Sequence, residues 1–237
     1  MGHKKLIRFE AINQYKNVLQ YPENMAGNWH NYFNNNNPII LELACGKGEY
    51  TIGQARMFSD KNFIGVDIKG NRIWRGATTA LEENLTNVAF LRTEIDKITN
   101  YFNEGEVAEI WITFPDPQLR ISKAKKRLTH PKFLRLYQQF LQKGGAVNLK
   151  TDSPNLFHFT KGVIDVFNIN CEAATDDVYN SIYNSDILNI KTYYETLNIA
   201  KSNSIHYLKF TIDNELFKEK DVLLKQIIES AANSYSR

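Results

Sequence analysis

The chain has 237 residues, of which 43% are hydrophobic, and this is enough to bury one full core. Its formal net charge is only +3, so affinity for a nucleic acid would have to come from local clusters of basic residues. Its two cysteines, Cys45 and Cys171, exclude a disulfide framework, and neither has the spacing of a metal site, so we expect no structural metal.

The first 37 residues are polar and end in the run NYFNNNNP, in which asparagines and a proline disfavour regular structure. We interpret residues 1–37 as an arm and linker, and residues 38–237 as the catalytic or binding domain. No stretch of the chain approaches the roughly 20 apolar residues that a membrane helix needs, and the N-terminus has no apolar core. We therefore expect a soluble cytoplasmic protein that does not contact a membrane.

Five short apolar runs follow, and each is typical of a strand that is buried on both faces. They are IILELAC at 39–45, NFIGVDI at 62–68, NVAFLR at 87–92, AEIWITF at 108–114 and GGAVNLKT at 144–151. Helical patterns lie between them at 70–84 and at 131–142, the second of which would bury Phe133, Leu134, Tyr137 and Leu141.

Strands that alternate with helices predict an α/β fold in which a mostly parallel sheet is covered by helices on both faces. The end of the chain differs from this pattern. SIHYLKFTI at 204–212 has the alternation of a β-strand, and Asn214 is placed to cap a helix from Glu215 to about residue 232.

A glycine turn ends the first strand in the segment LELACGKGEYT, where Gly46 and Gly48 precede the next helix. Asp67 follows Gly46 by 21 residues, which suits an acid that accepts hydrogen bonds from a ribose. A dinucleotide motif would need a third glycine where this chain has Thr51. Glu42 would repel a pyrophosphate and suits a cation, so the pattern favours S-adenosylmethionine, although the glycines alone indicate only a tight turn.

The fourth strand runs into a proline-flanked acid, Asp116, and a basic cluster follows at once. The cluster comprises Arg120, Lys123, Lys125, Lys126 and Arg127. A rigid carboxylate beside many cations indicates a pocket whose mouth faces a polyanion such as RNA. The alternative is that the cluster is a solvated loop, as most charge runs are.

Several segments together resemble the bacterial tRNA (guanine-N(7))-methyltransferases. They are ELACGKGEYT, GVDIKGNR, TFPDPQLRISKAKKRLTHPKFL, LKTDSPNLF and TYYE at 192–195, and they occur in the order of that family. The resemblance implies a class I S-adenosylmethionine-dependent methyltransferase with a Rossmann-like fold and an antiparallel C-terminal strand. It implies methyl transfer to N(7) of a guanine in the variable loop of tRNA, with S-adenosylhomocysteine as the product.

The same resemblance implies roles for particular residues. Glu42, Asp67, Glu94 and Asp116 would line the cofactor and target pocket, and Asp116 would be catalytic. Contacts to tRNA would come from Arg120, Asp152, Thr192, Tyr193, Tyr194 and Glu195. The chain departs from the family at Ala44, where a glycine is common, and at residues 118–123, whose contacts with tRNA stay open.

The chemistry of guanine agrees with an acid as the central residue. N(7) carries a lone pair and no proton, so its methylation needs orientation more than a base. The ring becomes cationic, and a carboxylate at its N(1) and N(2) edge would stabilise the transition state. We expect His130, Trp74 and Trp111 to be structural, whereas Asp152 could cap the helix that begins near Pro154 as well as contact the substrate.

Two alternatives remain. A methyltransferase for an exocyclic amine would usually have Pro-Pro and an aromatic residue after its acid, whereas this chain has Pro117 and Gln118. A noncatalytic tRNA-binding module on the same fold would not bind the cofactor. The sequence does not decide between monomer and homodimer, which tRNA species is used, or whether residues 1–37 become ordered on tRNA.

Overall fold

The computed structural model describes residues 3–197 and 204–226. The helices are α1 His3–Ala11, α2 Trp29–Phe33, α3 Glu49–Met57, α4 Gly70–Glu82, α5 Pro131–Tyr137, α6 Pro154–Phe167 and α7 Tyr193–Thr196, with shorter 3₁₀ turns at Ile12–Gln14, Ile95–Asn100, Ile121–Lys126 and Lys218–Lys220. The strands are β1 Val18–Gln20, β2 Ile39–Leu43, β3 Asn62–Asp67, β4 Val88–Arg92, β5 Val107–Thr113, β6 Leu141–Thr151, β7 Asn170–Thr175 and β8 His206–Thr211.

The eight strands form one sheet in the order β1-β4-β3-β2-β5-β6-β8-β7. All neighbours from β1 to β6 pair in parallel, whereas β8 is antiparallel to both β6 and β7. This confirms the predicted class of fold and the antiparallel C-terminal strand.

Side chains alternate between two cores, one on each face of the sheet. Ile40 of β2 packs in one core with residues of α3 and α4, such as Tyr50 and Ile73. Its neighbour Leu41 packs in the other core with residues of α2, α5 and α6. Both faces of β2 are covered, so every residue of the strand except Glu42 is apolar.

The sheet changes direction of winding at β2, which has β3 on one side and β5 on the other. Ligands of open parallel sheets bind beyond the carboxyl ends of the strands at such a point. Glu42 near the end of β2, Asp67 at the end of β3, and the residues after β5 and β6 are therefore brought to one edge.

The description of residues 1–37 as an arm and linker needs correction. β1 adds to the edge of the sheet beside β4, and the side chains of Ile12 and Trp29 are buried. The indole of Trp29 donates a hydrogen bond to the Tyr101 carbonyl at 2.8 Å. A domain that begins at residue 38 stays a prediction, but the preceding segment is packed against it.

Two smaller predictions about elements were wrong, and one predicted helix begins later than expected. Helix α5 ends at Tyr137, so Leu141 begins β6 instead of belonging to that helix. Asn214 donates its side-chain amide to the Phe167 carbonyl and caps no helix; helical structure resumes only at 218–220 and 221–226. The rest of that predicted helix lies outside the described residues.

Within residues 3–197 and 204–226, the helices are too short or too polar to cross a membrane.

Candidate active site

A cavity of about 700 Å³ opens at the carboxyl edge of the sheet. We call it the edge cavity. Its walls come from the turn after β2, the end of β3, the loops after β5 and β6, and the segment before α7. Six residues predicted as functional line it: Glu42, Gly46, Asp67, Asp116, Asp152 and Thr192.

The turn after β2 has three residues in the left-handed region. Their φ angles are 58° at Ala44, 58° at Gly46 and 73° at Gly48. Glycine adopts this region without a steric cost, and alanine does not. A glycine at position 44 would adopt this φ angle without that cost, whereas Ala44 introduces local strain.

Gly48 has a packing role that the sequence did not indicate. A Cβ at this position would lie 2.6 Å from the ring of Phe90, so only a glycine lets α3 approach β4. Gly48 does not line the edge cavity but faces the neighbouring groove. Gly48 thus has a role in helix packing, and its contact with a cofactor stays a prediction.

Asp67 holds the glycine turn against the end of β3. Its carboxylate accepts hydrogen bonds from the backbone of Gly46 at 3.0 Å and of Lys69 at 2.8 Å. A carboxylate has about four acceptor sites, so lone pairs remain for a ribose hydroxyl. The residue is thus both part of the turn and part of the cavity wall.

Glu42 is a buried carboxylate at the base of the cavity. Thr51 donates to it from the backbone at 2.8 Å and from its hydroxyl at 2.5 Å, and the Thr113 hydroxyl donates at 2.7 Å. Burial raises the pKa of Glu42 to about 7, although these hydrogen bonds oppose the shift. Ionisation of a buried carboxyl group costs free energy, and a cation that binds beside it offsets that cost.

The loop that carries Asp116 has an unusual backbone. Phe114 and Gln118 both have left-handed φ angles, of 46° and 47°. Asp116 is exposed to the cavity, and its Oδ1 accepts a hydrogen bond from the Gln118 backbone at 3.0 Å. Strained residues of this kind persist where the surrounding structure holds them, and they cluster at functional sites.

Arg127 holds this loop from behind and corrects a prediction. It is only 4% exposed, and its guanidinium donates to the carbonyls of Pro117 at 3.1 Å and Gln118 at 3.2 Å. The guanidinium also lies 4.4 Å from the ring centre of Phe159. Its burial and these hydrogen bonds give Arg127 a role inside the protein that its predicted phosphate contact did not include.

The other four basic residues of the cluster are exposed, as predicted: Arg120, Lys123, Lys125 and Lys126. Three of them lie on the 3₁₀ turn Ile121–Lys126, where the buried Ala124 anchors the turn to the protein. The lysines point away from that anchor and follow directly after the cavity wall. Together with Arg120, which directly follows the cavity-lining Leu119, they form a basic surface that we call the basic turn.

Asp152 and the helix after it also differ from expectation. The cap of α6 is Ser153, whose hydroxyl accepts a hydrogen bond from the Leu156 backbone at 3.3 Å. Asp152 is not the cap. Its contribution to the cavity wall leaves a role in substrate binding as a prediction.

The segment Thr192–Glu195 contributes to the site in two ways. Thr192 is buried and lines the cavity, and its hydroxyl accepts a hydrogen bond from the Glu195 backbone at 3.1 Å. Tyr193 is 47% exposed, with the Lys47 ammonium 3.2 Å from its ring centre. The side chain of Tyr194 lies outside the described part of the structure.

Glu195 is part of a buried ion cluster, which makes direct contact with tRNA a poor description of it. Its side chain is 7% exposed and pairs with Lys150 at 3.1 Å and Lys191 at 2.9 Å, and it also accepts a hydrogen bond from the Tyr179 hydroxyl. Burial alone would raise the pKa of Glu195, but these partners hold it below its ordinary value. The predicted role is therefore corrected to one of support.

Lys150 is a site residue that the sequence reasoning missed. It is fully buried, and its ammonium also donates to the Tyr179 hydroxyl and to the carbonyls of Leu188 and Ile190. Burial lowers its pKa to about 8. A lysine inside an apolar strand pattern, in NLKT, was the available signal. Its contacts fix the segment that carries Thr192 over the end of β6.

Glu94 does not line the edge cavity. Its Oε2 lies 2.5 Å from the Lys97 ammonium in the turn after β4. Its predicted contact with the cofactor stays a prediction.

Two of the three residues predicted to be structural, Trp111 and His130, have structural roles, whereas the third, Trp74, is not buried in the core and lines the neighbouring groove. Trp111 is buried, and His130 caps α5 by accepting a hydrogen bond from the Lys132 backbone. Burial lowers the pKa of His130 to about 4, so the ring is neutral near pH 7. Trp74 is half-buried and has the Arg8 guanidinium 4.8 Å from its ring centre.

Comparison with known proteins identifies the family. A family model described as a putative methyltransferase matches residues 36–208. A tRNA (guanine-N(7)-)-methyltransferase of Bacteroides fragilis is 47% identical, over 100% of this chain and 96% of that protein. A tRNA (guanine-N(7)-)-methyltransferase of Porphyromonas gingivalis is 46% identical, over 93% of this chain and 91% of that protein. The chain belongs to the tRNA (guanine-N(7)-)-methyltransferase family.

Membership confirms the resemblance seen in the sequence. More distant members of the tRNA (guanine-N(7)-)-methyltransferase family also match, among them that of Listeria monocytogenes, at 32% identity over 88% of this chain and 94% of that protein. Among solved structures, the 16S rRNA methyltransferase KamB has a TM-score of 0.58 at 13% identity, over 75% of this chain and 89% of that one. A 30S ribosomal A1408 methyltransferase from an uncultured bacterium has a TM-score of 0.56 at 18% identity, over 78% and 92%. At these identities the likeness concerns the fold alone.

Proposed function

We propose that this protein transfers a methyl group from S-adenosylmethionine to N(7) of a guanine in the variable loop of tRNA. The observation that carries the proposal is the shared cavity: Asp116 opens into the same space as the Gly46 turn, Glu42 and Asp67. An acceptor held by Asp116 would therefore face a cofactor held by the turn.

The residues of the edge cavity fit that cofactor. The left-handed turn at Gly46 lets backbone approach a ligand closely, and Asp67 offers acceptors for the hydroxyls of a ribose. Glu42 is a buried acid whose ionised form would be stabilised by a ligand cation. When bound, S-adenosylmethionine supplies an electrophilic methyl group on a positively charged sulfur.

Asp116 would act on the acceptor without removing a proton. The N(7) lone pair of guanine lies in the plane of the ring and is available at neutral pH, so no base is needed. As the new bond forms, the ring gains positive charge and its N(1) and N(2) protons become better donors. A carboxylate that accepts from this edge binds the transition state more tightly than the substrate.

The loop geometry would hold that carboxylate in place. One oxygen of Asp116 is fixed by the Gln118 backbone, and the Gln118 carbonyl is in turn held by Arg127. A preorganised acceptor costs no reorientation when charge develops. His130, the histidine nearest in sequence to this loop, accepts a hydrogen bond from the Lys132 backbone as the cap of α5.

Affinity for tRNA would come from the basic turn, where Arg120, Lys123, Lys125 and Lys126 are exposed beside the cavity mouth. Each phosphate that they neutralise releases counterions, so binding should weaken steeply with salt. Thr192 and Asp152, which line the cavity, would contact the inserted nucleotide.

The test is to map the modified nucleotide. The protein is incubated with unmodified tRNA and cofactor carrying a labelled methyl group, and the RNA is then treated with borohydride and aniline, which break the chain at 7-methylguanosine. We expect label and cleavage at one guanine of the variable loop. Label without cleavage would indicate methylation at another position, such as an exocyclic amine, and absence of both label and cofactor binding would indicate a noncatalytic module; either result contradicts the proposal.

A further inference from the structure

A second cavity, of about 1070 Å³, opens beside the edge cavity between α1, α3, α4 and residues 190–196. We call it the side groove. The two share Glu49, Arg72 and Thr192 in their walls. We propose that the side groove binds the phosphodiester backbone of the RNA strand next to the target nucleotide, an inference that rests on the proposed function.

The charge of the side groove is the first reason. Among the described residues, six basic and three acidic side chains line it: Arg8, Lys47, Arg56, Arg72, Arg75 and Lys191, with Glu49, Glu82 and Glu83. Arg56 pairs with Glu83 at 2.5 Å, and Lys191 pairs with Glu195 at 2.9 Å. Even with these pairs, the described lining has three more basic than acidic side chains, so the groove suits a polyanion.

The aromatic rings are the second reason. Tyr193 and Trp74 both line the groove, and each has a cation over its ring, from Lys47 and Arg8 respectively. Surfaces that bind single-stranded RNA combine positive charge with aromatic faces on which bases stack. An acidic peptide would match the charge but would give the exposed Tyr193 ring no comparable partner.

The position of the groove is the third reason. The basic turn follows β5, whereas the side groove lies over the helices that follow β2 and β3, on the other side of the central strand. A strand that inserts one base into the edge cavity leaves phosphates on both sides of the mouth. The two basic surfaces would therefore hold the RNA on either side of the flipped nucleotide.

The experiment compares two charge-matched double variants by their affinity for unmodified tRNA at several salt concentrations. The test variant is Arg8→Gln with Arg75→Gln, in which both residues are exposed in the groove. The control is Lys143→Gln with Lys218→Gln, which are exposed and line neither cavity. We expect tRNA affinity to fall about tenfold in the test variant, and the slope of log affinity against log salt to fall by about 1.4 to 1.8.

Cofactor affinity serves as the check of folding, because neither arginine lines the edge cavity. It should stay within about twofold of the native value. Equal tRNA affinity and equal salt slopes in the two variants would overturn the inference. So would unchanged tRNA affinity with weakened binding of a polyglutamate peptide, which would assign the groove to an acidic protein.

The result of this experiment can be distinguished from the result of the test of the proposed function. If native protein methylates N(7) but the test variant binds tRNA like the control, only the groove inference fails. If native protein methylates another position while the test variant loses tRNA affinity, the proposed function fails and the groove remains an RNA site.

Discussion

Arg127 donates a hydrogen bond from Nε to the carbonyl oxygen of Pro117 at 3.1 Å, across the base of the loop that carries Asp116. The same guanidinium reaches the next carbonyl, that of Gln118. Two donors in a rigid plane thus fix a backbone that is strained at Gln118, where φ is 47°. The shape of this loop depends on a residue that its charge alone would assign to RNA.

Arg127→Lys should therefore damage turnover more than binding. A single ammonium on a flexible stem cannot hold both carbonyls in one geometry, so Asp116 loses its fixed position. We expect kcat to fall about tenfold to 100-fold while the Kd for tRNA changes less than about threefold. The measurement is steady-state methylation together with tRNA binding. A large loss of tRNA affinity with native kcat would show instead that Arg127 contacts a phosphate of the tRNA.

Substitution of the exposed lysines of the basic turn should weaken tRNA binding more than it slows methyl transfer. Lys125→Ala with Lys126→Ala removes two charges that have no role in the loop, so tRNA binding should weaken and its salt slope should flatten by about two units or slightly less. Titrations at several salt concentrations measure this. An unchanged slope would mean that these side chains are only solvated surface.

Glu42 should make stability depend on pH. Its pKa rises from 4.5 in the unfolded chain to about 7 in the folded protein, so the folded state holds the proton more tightly. Stability is then lost as pH rises from about 4.5 through about 7. Glu42→Gln removes this loss, and we expect it to raise stability at about pH 8 without cofactor, by about 3 kcal/mol at most, with little effect near pH 4.5.

Thermal melts of the native protein and of the Glu42→Gln variant at both pH values give the comparison. The exposed Glu82→Gln is the matched control and should change neither melt. The stabilised variant should at the same time bind S-adenosylmethionine more weakly, because it lacks the negative charge. A variant that is equally destabilised at both pH values would show that the carboxylate is needed for folding and would contradict this account.

Lys150 should stabilise the segment that brings Thr192 into the wall of the edge cavity. Lys150→Met leaves Glu195 buried with one of its cations removed, and breaking a buried pair in this way costs about 3 to 5 kcal/mol. Because the same ammonium holds the Leu188 and Ile190 carbonyls, Thr192 should lose its position and the affinity for cofactor or tRNA should fall. Lys161→Met, an exposed change on α6, is the control.

Chemical unfolding and calorimetry of ligand binding measure the two effects of Lys150→Met. Adding Glu195→Gln to the variant should recover part of the lost stability, because it removes the unpaired charge. If Lys150→Met unfolded no more easily than Lys161→Met, the ion cluster would not support the cavity.

The strands were predictable because they are buried on both faces, which leaves a continuous apolar run in the sequence. Their parallel arrangement then places Glu42, Asp67 and Asp116 at one edge without further information. The three residues of β1 and the exposed pattern of β7 carry no such signal, so these edge strands were missed.

The partners of individual charges were not predictable. Arg127 follows the buried Ala124 by three residues on a 3₁₀ turn, so it points inward while Lys125 and Lys126 point outward, yet the sequence shows one basic run. The pairing of Lys150 with Glu195 joins residues 45 positions apart, through a loop whose course no local pattern indicates.

The most direct test of the role of Asp116 is single-turnover methylation by Asp116→Asn with saturating tRNA and cofactor, alongside calorimetry of cofactor binding. Asparagine has the same shape without the charge that would compensate a cationic ring. We expect the rate to fall at least about 100-fold while cofactor affinity stays within about tenfold. A native rate in the variant, or equal losses of rate and cofactor affinity, would contradict this account.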